Sequence, residues 1–119
     1  MYYSIMVYGF IYKIEIPSND GTIWNYIGQT TRQLEQREEE HRKCAKRSEK
    51  WRRKNEVHKA IKQYDMVDTF TLTKICNANT KKELDKKEIE YIKKYDSLWY
   101  YGGHGFNMTL GGSGVRTLK

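Results

Sequence analysis

A hairpin of two β-strands is the strongest structural signal in this chain, and it lies near the N-terminus. Residues 6–16 alternate so that one face of the predicted strand carries Tyr8, Phe10, Tyr12, Ile14 and Ile16. Residues 17–21 form the turn, in which Asp20-Gly21 is a strong hairpin signal, and residues 22–28 return as the second strand. The hairpin brings Tyr12 and Tyr26 into one sheet, although its register does not follow from the sequence.

The rest of the chain alternates between helical and strand patterns. The predicted elements are a helix at 32–47, a helix at 54–64, a strand at 68–76 and a helix that ends near 95. Thr30 or Thr31 is available to cap the first helix, and Thr80 with Glu83 forms a capping box at the last one. A glycine-rich loop follows at 102–114. This order predicts an α+β fold, with a small three-stranded antiparallel sheet flanked by helices.

The length of 119 residues, with one proline and no internal repeat, predicts a single domain over residues 1–119. We interpret residues 113–119 as a flexible tail or the start of a linker. No stretch approaches the roughly 18 to 20 apolar residues that span a membrane, and the N-terminus lacks a basic leader and a cleavage site. We interpret Cys44 and Cys76 as free thiols and expect a cytoplasmic protein.

The charge of the chain favours a polyanionic partner. There are 22 lysines and arginines against 15 aspartates and glutamates, which gives a net charge of +7. Much of the excess lies in one stretch that contains Arg42, Lys43, Lys46, Arg47, Lys50, Arg52, Arg53 and Lys54. This clustering favours contact with a nucleic-acid backbone over the alternative, a solvated helix surface.

Glu88 occupies an unusual position on the last predicted helix. Helical periodicity places it between Leu84 and Ile92 on the apolar stripe, while Glu83 and Glu90 lie on the opposite side. A carboxylate on such a face loses hydration unless a cation or hydrogen bonds compensate. A metal-binding or catalytic role and a simple salt bridge at the edge of the core are both compatible with this position.

Arg37 and His41 are four residues apart and share one face of the first predicted helix. Arginine suits bidentate recognition of phosphate, and a neighbouring histidine can relay a proton near neutral pH. The alternative pairs Arg37 with Glu38 or Glu40 on the surface and makes His41 a packing residue. Glu39 and Glu40 are expected to face away from Arg37, whereas Glu38 lies close enough to weaken phosphate binding.

The remaining candidates give weaker signals. Tyr12 and Tyr26 belong to a chain with 10 tyrosines, and tyrosines in sheets are usually packing residues. His58 flanks the apolar stripe of the second predicted helix, and we expect it on the surface. His104 lies in the glycine-rich loop and receives no role.

Five segments in order resemble the motifs of the GIY-YIG nuclease family, whose catalytic domain occurs in homing endonucleases. They are Gly9-Phe10-Ile11-Tyr12, with one residue inserted in the first motif, Tyr26-Ile27-Gly28, the helix segment 34–41, the segment 88–92 and the segment 105–112. The resemblance covers nearly the whole chain. It implies a three-stranded antiparallel sheet among helices and the hydrolysis of nucleic-acid phosphodiesters.

The resemblance also implies a role for each matching residue. Glu88 would hold the metal, Arg37 the scissile phosphate, and Tyr12 and Tyr26 the attacking water. His41 would assist proton transfer, and Asn107 would order the site. Because one carboxylate is a small ligand set, we expect a single Mg²⁺ or Mn²⁺ that binds well only with nucleic acid present, and no small-molecule cofactor.

Several functional alternatives remain open at this point. The leading hypothesis is a metal-dependent DNA endonuclease of phage or mobile-element type that acts on duplex DNA in the host cytosol or nucleoid. The other is a binding module on the same scaffold that no longer cuts. The expected assembly is a monomer or weak homodimer. Tyr12 could serve as the base only if cationic surroundings lower its pKa from about 10, so His41 is the alternative base.

Overall fold

The strands predicted from the sequence pair in one antiparallel sheet. The computed structural model describes residues 7–47, 56–99 and 103–111. Its elements, in chain order, are β1 (Gly9–Pro17), β2 (Ile23–Thr30), α1 (Leu34–Lys46), α2 (Glu56–Gln63), β3 (Thr73–Ala78) and α3 (Lys81–Lys94). The three strands with their flanking helices confirm the predicted α+β fold.

The hairpin strand β1 is the centre of the sheet. The strand order is β2-β1-β3, and both pairings are antiparallel. In the hairpin register Tyr12 pairs with Gly28, and Ile14 pairs with Tyr26. The segment 103–111 lies along the open edge of β2, where Gly105 forms an isolated bridge with Asn25.

Helices cover both faces of the sheet. The face predicted from the alternation of β1 carries Tyr12, Ile14 and Ile16, which pack in one cluster with Val57 and Ile61 of α2. The other face is also apolar, and its cluster contains Ile11, Ile27, Ala78, Leu84 and Ile92. Because α3 packs on this second face, β1 is buried on both sides rather than half-solvated.

The structure corrects some predicted boundaries. The third strand was expected at 68–76, but residues 67–69 form a turn and β3 starts at Thr73, because the aromatic Phe70 is buried in the core as part of the connection. The first helix is capped at Gln33 instead of Thr30 or Thr31. The predicted cap at Thr80 is confirmed, since its hydroxyl accepts a hydrogen bond from the Glu83 N–H at 3.0 Å.

None of the helices in the described part of the chain has the length and apolar character that a membrane span requires.

Candidate active site

The pairing of β1 with β2 places both motif tyrosines on one face of the sheet. The centroids of the Tyr12 and Tyr26 rings are 6.4 Å apart. Gly28 lies opposite Tyr12, and a Cβ at this glycine would overlap with Cζ and the hydroxyl of the Tyr12 ring. The glycine of the second motif therefore makes room for the aromatic ring of the first.

The Tyr12 hydroxyl begins a buried chain of hydrogen-bonding groups. Its oxygen lies 2.7 Å from Nε2 of His41, and Nδ1 of His41 lies 2.7 Å from Nε2 of His58. When Tyr12 donates to His41, the remaining His41 proton must sit on Nδ1 and point to His58. The expectation of a surface position for His58 is wrong: this residue is 6% exposed and packs against α1.

The burial of this chain determines its protonation states. Burial, the charge of Arg37 and the neighbouring His58 lower the pKa of His41 to about 3, so His41 is neutral at pH 7. Burial and the neighbouring Tyr26 raise the pKa of Tyr12 above its ordinary range, although Arg37 acts in the opposite direction. The lowering of the pKa that Tyr12 would need to act as the base on its own does not occur, because desolvation outweighs the nearby charge.

Arg37 joins the buried hydroxyl to an open cavity. Its Nε donates to the Tyr12 oxygen at 3.1 Å, and its Nη1 lies 2.9 Å from Oε1 of Glu40. The Arg37 side chain is 32% exposed and lines a cavity of about 320 Å³ together with Gln29 and Thr30. A phosphate in this cavity would reach the guanidinium by replacing Glu40.

The acids around Arg37 differ from the sequence prediction. Glu40 was expected to face away, but it is the acid that pairs with Arg37, since residues three apart on a helix are neighbours. Glu38 was expected near the phosphate site, but it turns to Arg42, at 3.5 Å. The pairing of Arg37 with a surface acid is confirmed for Glu40, and the same guanidinium contacts the buried Tyr12. Phosphate binding by Arg37 stays a prediction.

Glu88 lies beside the edge strand β2 and is half-buried. Its Oε1 accepts a hydrogen bond from Nε2 of Gln29 at 2.9 Å. The same amide donates to Oδ1 of Asp85 at 2.9 Å, one turn earlier on α3. Glu88 also lines a cavity of about 270 Å³ with Tyr26 and Asn107. The inward-facing acid of the sequence prediction therefore faces a cleft, and it has a second carboxylate close by.

Tyr26 links the acidic and basic sides of this cleft. Burial raises the pKa of Tyr26, Glu88 acts in the same direction, and Arg37 opposes it. Among the residues that the structure describes, no hydrogen bond is formed by the Tyr26 hydroxyl. Tyr26 is therefore a neutral hydroxyl that can bind a water or a substrate oxygen, whereas the hydroxyl of Tyr12 already has two partners.

Asn107 closes the open edge of β2. Its Oδ1 accepts hydrogen bonds from the Ile27 N–H at 2.8 Å and from the Ser97 hydroxyl at 2.7 Å, and its Nδ2 donates to the Ile27 carbonyl at 2.7 Å. The amide side chain thus occupies the place of a neighbouring strand residue. These bonds hold the segment 103–111 against the cleft. The ordering role that the resemblance implied for Asn107 stays a prediction.

The residues that build this cleft lie in segments that match a known family. The family model of the GIY-YIG catalytic domain matches residues 8–101, which include all of the side chains above except Asn107. The chain belongs to the GIY-YIG family. No curated protein and no solved structure matches it significantly. Membership makes this chain a nuclease domain of the endonuclease type, and its substrate is nucleic acid.

The GIY-YIG site offers few ligands for a metal. No group of three or more His, Cys, Asp and Glu residues that could hold an ion occurs among residues 7–47, 56–99 and 103–111. Glu88 and Asp85 converge on one amide of Gln29, and Asp85 also pairs with Lys81 at 3.2 Å, so one or two carboxylates lie at this place. Mg²⁺ in nucleotide and nucleic-acid sites is typically held by one or two carboxylates, several waters and substrate phosphates. The donor set fits such a hydrated ion.

The structure divides the basic stretch that was predicted to bind nucleic acid. The guanidinium of Arg42 donates to the Val67 carbonyl at 2.7 Å and stacks on Phe70, so it stabilises the fold and is not available to a ligand. Lys43, Lys46 and Arg47 are exposed at the end of α1. The other predicted members, Lys50, Arg52, Arg53 and Lys54, lie outside the described residues.

Two residues of the GIY-YIG site were not predicted from the sequence. His58 follows the buried Val57 and precedes Ile61 by one turn, and this spacing is a signal for a place on the buried stripe of α2. Gln29 directly follows the second motif. Strand alternation turns it away from the face of Gly28 and toward α3, where it meets Glu88.

The buried histidine predicts that this nuclease domain loses stability in mild acid. The folded state disfavours the His41 cation, so the unfolded chain takes up the proton first as the pH falls below about 6.5. Stability is fully present above that pH and declines as the pH falls toward 3. We expect a decrease of about 2 kcal/mol in the free energy of unfolding between pH 7 and pH 5, measured by urea titration.

The matched variants for this measurement are His41→Gln and His104→Gln. The His41 variant should be less stable at pH 7, but its free energy of unfolding should fall less steeply as the pH is lowered. His104 is exposed and pairs with Asp96 at the surface, so its replacement should leave the dependence of stability on pH nearly unchanged. An equally steep decline in His41→Gln would contradict the assignment of a buried neutral imidazole.

Proposed function

We propose that this chain is a divalent-metal-dependent endonuclease that hydrolyses DNA phosphodiester bonds and that it belongs to a phage or mobile element. The observation that carries the proposal is the position of the Tyr12 hydroxyl between His41 and Arg37. Beside it, Tyr26 and Glu88 line one cavity at the edge of β2. In-line hydrolysis of a phosphodiester by this mechanism requires a proton acceptor, a cation that binds the phosphate and a carboxylate that binds the metal.

The scissile phosphate binds next to Arg37. Its oxygens replace the carboxylate of Glu40 on the guanidinium, which offers planar, bidentate hydrogen bonding to phosphate. The released Glu40 keeps Arg32 as a partner. Because Tyr12 is fully buried, Arg37 must also shift with the phosphate to uncover the hydroxyl that it contacts.

The proton of the attacking water leaves through the buried chain. The water gives its proton to the Tyr12 oxygen while the Tyr12 proton moves to Nε2 of His41 and the Nδ1 proton of His41 moves to His58. The hydroxide attacks phosphorus, and the leaving oxygen takes a proton from solvent. The bound phosphate promotes this transfer, since it offsets the Arg37 charge that lowers the pKa of His41.

Glu88, with Asp85 close by, would hold a single Mg²⁺ or Mn²⁺. Such an ion would stabilise the negative charge on the phosphate and on the leaving oxygen. Gln29 orients the Glu88 carboxylate through its amide, and the free Tyr26 hydroxyl positions water in the same cavity.

The substrate is duplex DNA that is held through its backbone. The exposed Lys43, Lys46 and Arg47 extend from the end of α1, and the basic residues up to Lys54 continue the same stretch of sequence. Affinity should fall with rising salt, because each neutralised phosphate releases counterions. One active site cuts one strand, so the protein nicks DNA. It acts as a monomer or weak homodimer in the host cytosol or nucleoid.

The test is the nicking of supercoiled plasmid by the wild-type protein with and without a divalent metal. We expect nicked circles in Mg²⁺ or Mn²⁺, no nicking in excess EDTA, and recovery when the metal is restored. DNA binding, measured by fluorescence anisotropy, should persist in EDTA because it depends on the lysines and arginines. Salt-sensitive binding without nicking in any divalent metal would favour the alternative, a binding module that no longer cuts.

A further inference from the structure

A third cavity lies next to the active-site cleft and has no part in the proposed reaction. Its volume is about 270 Å³, close to the lower end of the roughly 300–1,000 Å³ that small-ligand pockets enclose. Its aromatic walls are Trp24, Tyr64, Trp99 and Phe106, and its floor contains Ile16 and Ala60. Trp99 remains 39% exposed, which is unusual for an indole in a protein of this size.

The aromatic rings of this cavity form a connected group. The Trp24 centroid lies 6.0 Å from that of Trp99 and 5.7 Å from that of Phe106, and Trp99 stacks on Phe106 at 6.0 Å. Exposed indole faces bind other flat π-systems, and base–aromatic stacking is the main sequence-tolerant interaction in the recognition of single strands.

The cavity adjoins the candidate active site. Phe106 lines both cavities, and its neighbour Asn107 lines the cavity of Glu88. Trp24 and Tyr26 are two residues apart on β2, so their side chains lie on the same face, with Cα atoms roughly 7 Å apart. A nucleotide whose phosphate lies at Tyr26 can therefore place its base in the aromatic cavity.

We propose that the aromatic cavity binds an unpaired base of the substrate strand, next to the scissile phosphate. The inference rests on the proposed function, because the cleft supplies the phosphate to which this base is attached. The rim also supplies hydrogen-bonding groups. The exposed Gln63 amide offers a donor and an acceptor, and Lys59, which pairs with Glu56, adds a cation at the rim. The domain thus prefers DNA with an unpaired base beside the cut over fully paired duplex.

The experiment measures binding in EDTA, so that no cleavage takes place. A Trp51→Phe protein retains Trp24 and Trp99 as fluorescent reporters, both in the cavity wall. It is titrated with a duplex that carries one unpaired base, with the same duplex lacking only that base (an abasic site), and with a free deoxynucleoside monophosphate. We expect quenching and about tenfold or more tighter binding for the unpaired base than for the abasic duplex, the range that base stacking on aromatic side chains provides.

Substitutions test whether the preference for the unpaired base depends on the aromatic cavity. Trp99→Leu should reduce the preference for the unpaired base to about twofold or less, and Gln63→Ala, at an exposed position, should weaken it without affecting the fold. The matched control is Tyr8→Leu, since Tyr8 is 40% exposed but lies at the other end of β1. This variant should keep the full preference.

Three results would overturn the inference: equal affinity for the unpaired-base and abasic duplexes, a preference that survives in Trp99→Leu, or binding of the free nucleotide as tight as that of the duplex. The plasmid assay reports separately on the proposed function. Nicking without a base preference removes the base site alone, whereas a base preference without nicking removes the nuclease mechanism and keeps the site.

Discussion

Glu88→Gln is expected to lower the single-turnover nicking rate by about 10²- to 10⁴-fold, because it removes the carboxylate charge that we propose as the ligand of the metal. A bound divalent ion contributes several kcal/mol of stabilisation to the transition-state charge, and each 1.36 kcal/mol corresponds to tenfold in rate. The glutamine keeps the size of the side chain, so its oxygen can still accept the hydrogen bond from Gln29 that is 2.9 Å long in the structure. The fold should therefore be retained.

Binding distinguishes this result from a general loss of function. Without metal, Glu88→Gln removes a negative charge near the phosphate, so DNA affinity in EDTA should be unchanged or higher. Raising the Mg²⁺ or Mn²⁺ concentration should recover part of the lost rate.

The matched control is Glu90→Gln, which changes the same charge two residues away on the exposed side of α3. This variant should nick within about twofold of wild type, since exposed charges away from the site contribute little. Wild-type nicking by Glu88→Gln at low Mg²⁺ would contradict the metal-binding role.

The elements with local signals were predictable from the sequence. The alternation along β1, the Asp20-Gly21 turn and the Thr80 cap are determined by neighbouring residues, and the structure contains all of them within a few residues. Helical periodicity placed Glu88 on the apolar stripe of the last helix, but the resemblance to the family was needed to assign it to one site with Tyr26. β3 was misplaced by several residues, since Phe70 in the connection is as apolar as a strand residue.

The parts that the sequence analysis missed depend on contacts between distant elements. His58 and His41 are 17 residues apart, and only the packing of α2 on α1 brings their rings within a hydrogen bond. A lowered pKa was the condition for Tyr12 to act as the base, but burial raises the pKa of Tyr12 and outweighs the opposite effect of Arg37. Helical geometry alone favours the pairing of Arg37 with Glu40, because residues three apart on a helix are neighbours.

Tyr12→Phe is expected to lower the nicking rate by about 10²- to 10⁴-fold, the usual contribution of a positioned proton-transfer group. The substitution removes one oxygen and keeps the ring that packs over Gly28. It also leaves Nε2 of His41 and Nε of Arg37 without the hydroxyl that each contacts. Leaving a buried group unsatisfied costs about 1–3 kcal/mol, so the urea midpoint should fall.

Tyr26→Phe is the matched comparison for this variant. In the described part of the chain the Tyr26 hydroxyl makes no hydrogen bond, so its removal should change the free energy of unfolding by less than about 0.5 kcal/mol. A lower nicking rate in Tyr26→Phe would then reflect the water that this hydroxyl positions. The two variants should therefore differ in stability. Loss of either hydroxyl slows the reaction, but only the loss at Tyr12 destabilises the fold.

The dependence on pH distinguishes the proton relay from a tyrosinate base. Burial raises the pKa of Tyr12 above its ordinary range and lowers the pKa of His41 to about 3, so both groups are neutral between pH 6.5 and 8.5, as the relay requires. Under single-turnover conditions the wild-type rate should therefore change by less than about twofold over this range. A rise of about tenfold per pH unit that is lost in Tyr12→Phe would contradict the relay and make the deprotonated Tyr12 the reacting form. A wild-type rate in Tyr12→Phe would remove this hydroxyl from the proton path and leave His41 as the remaining candidate base.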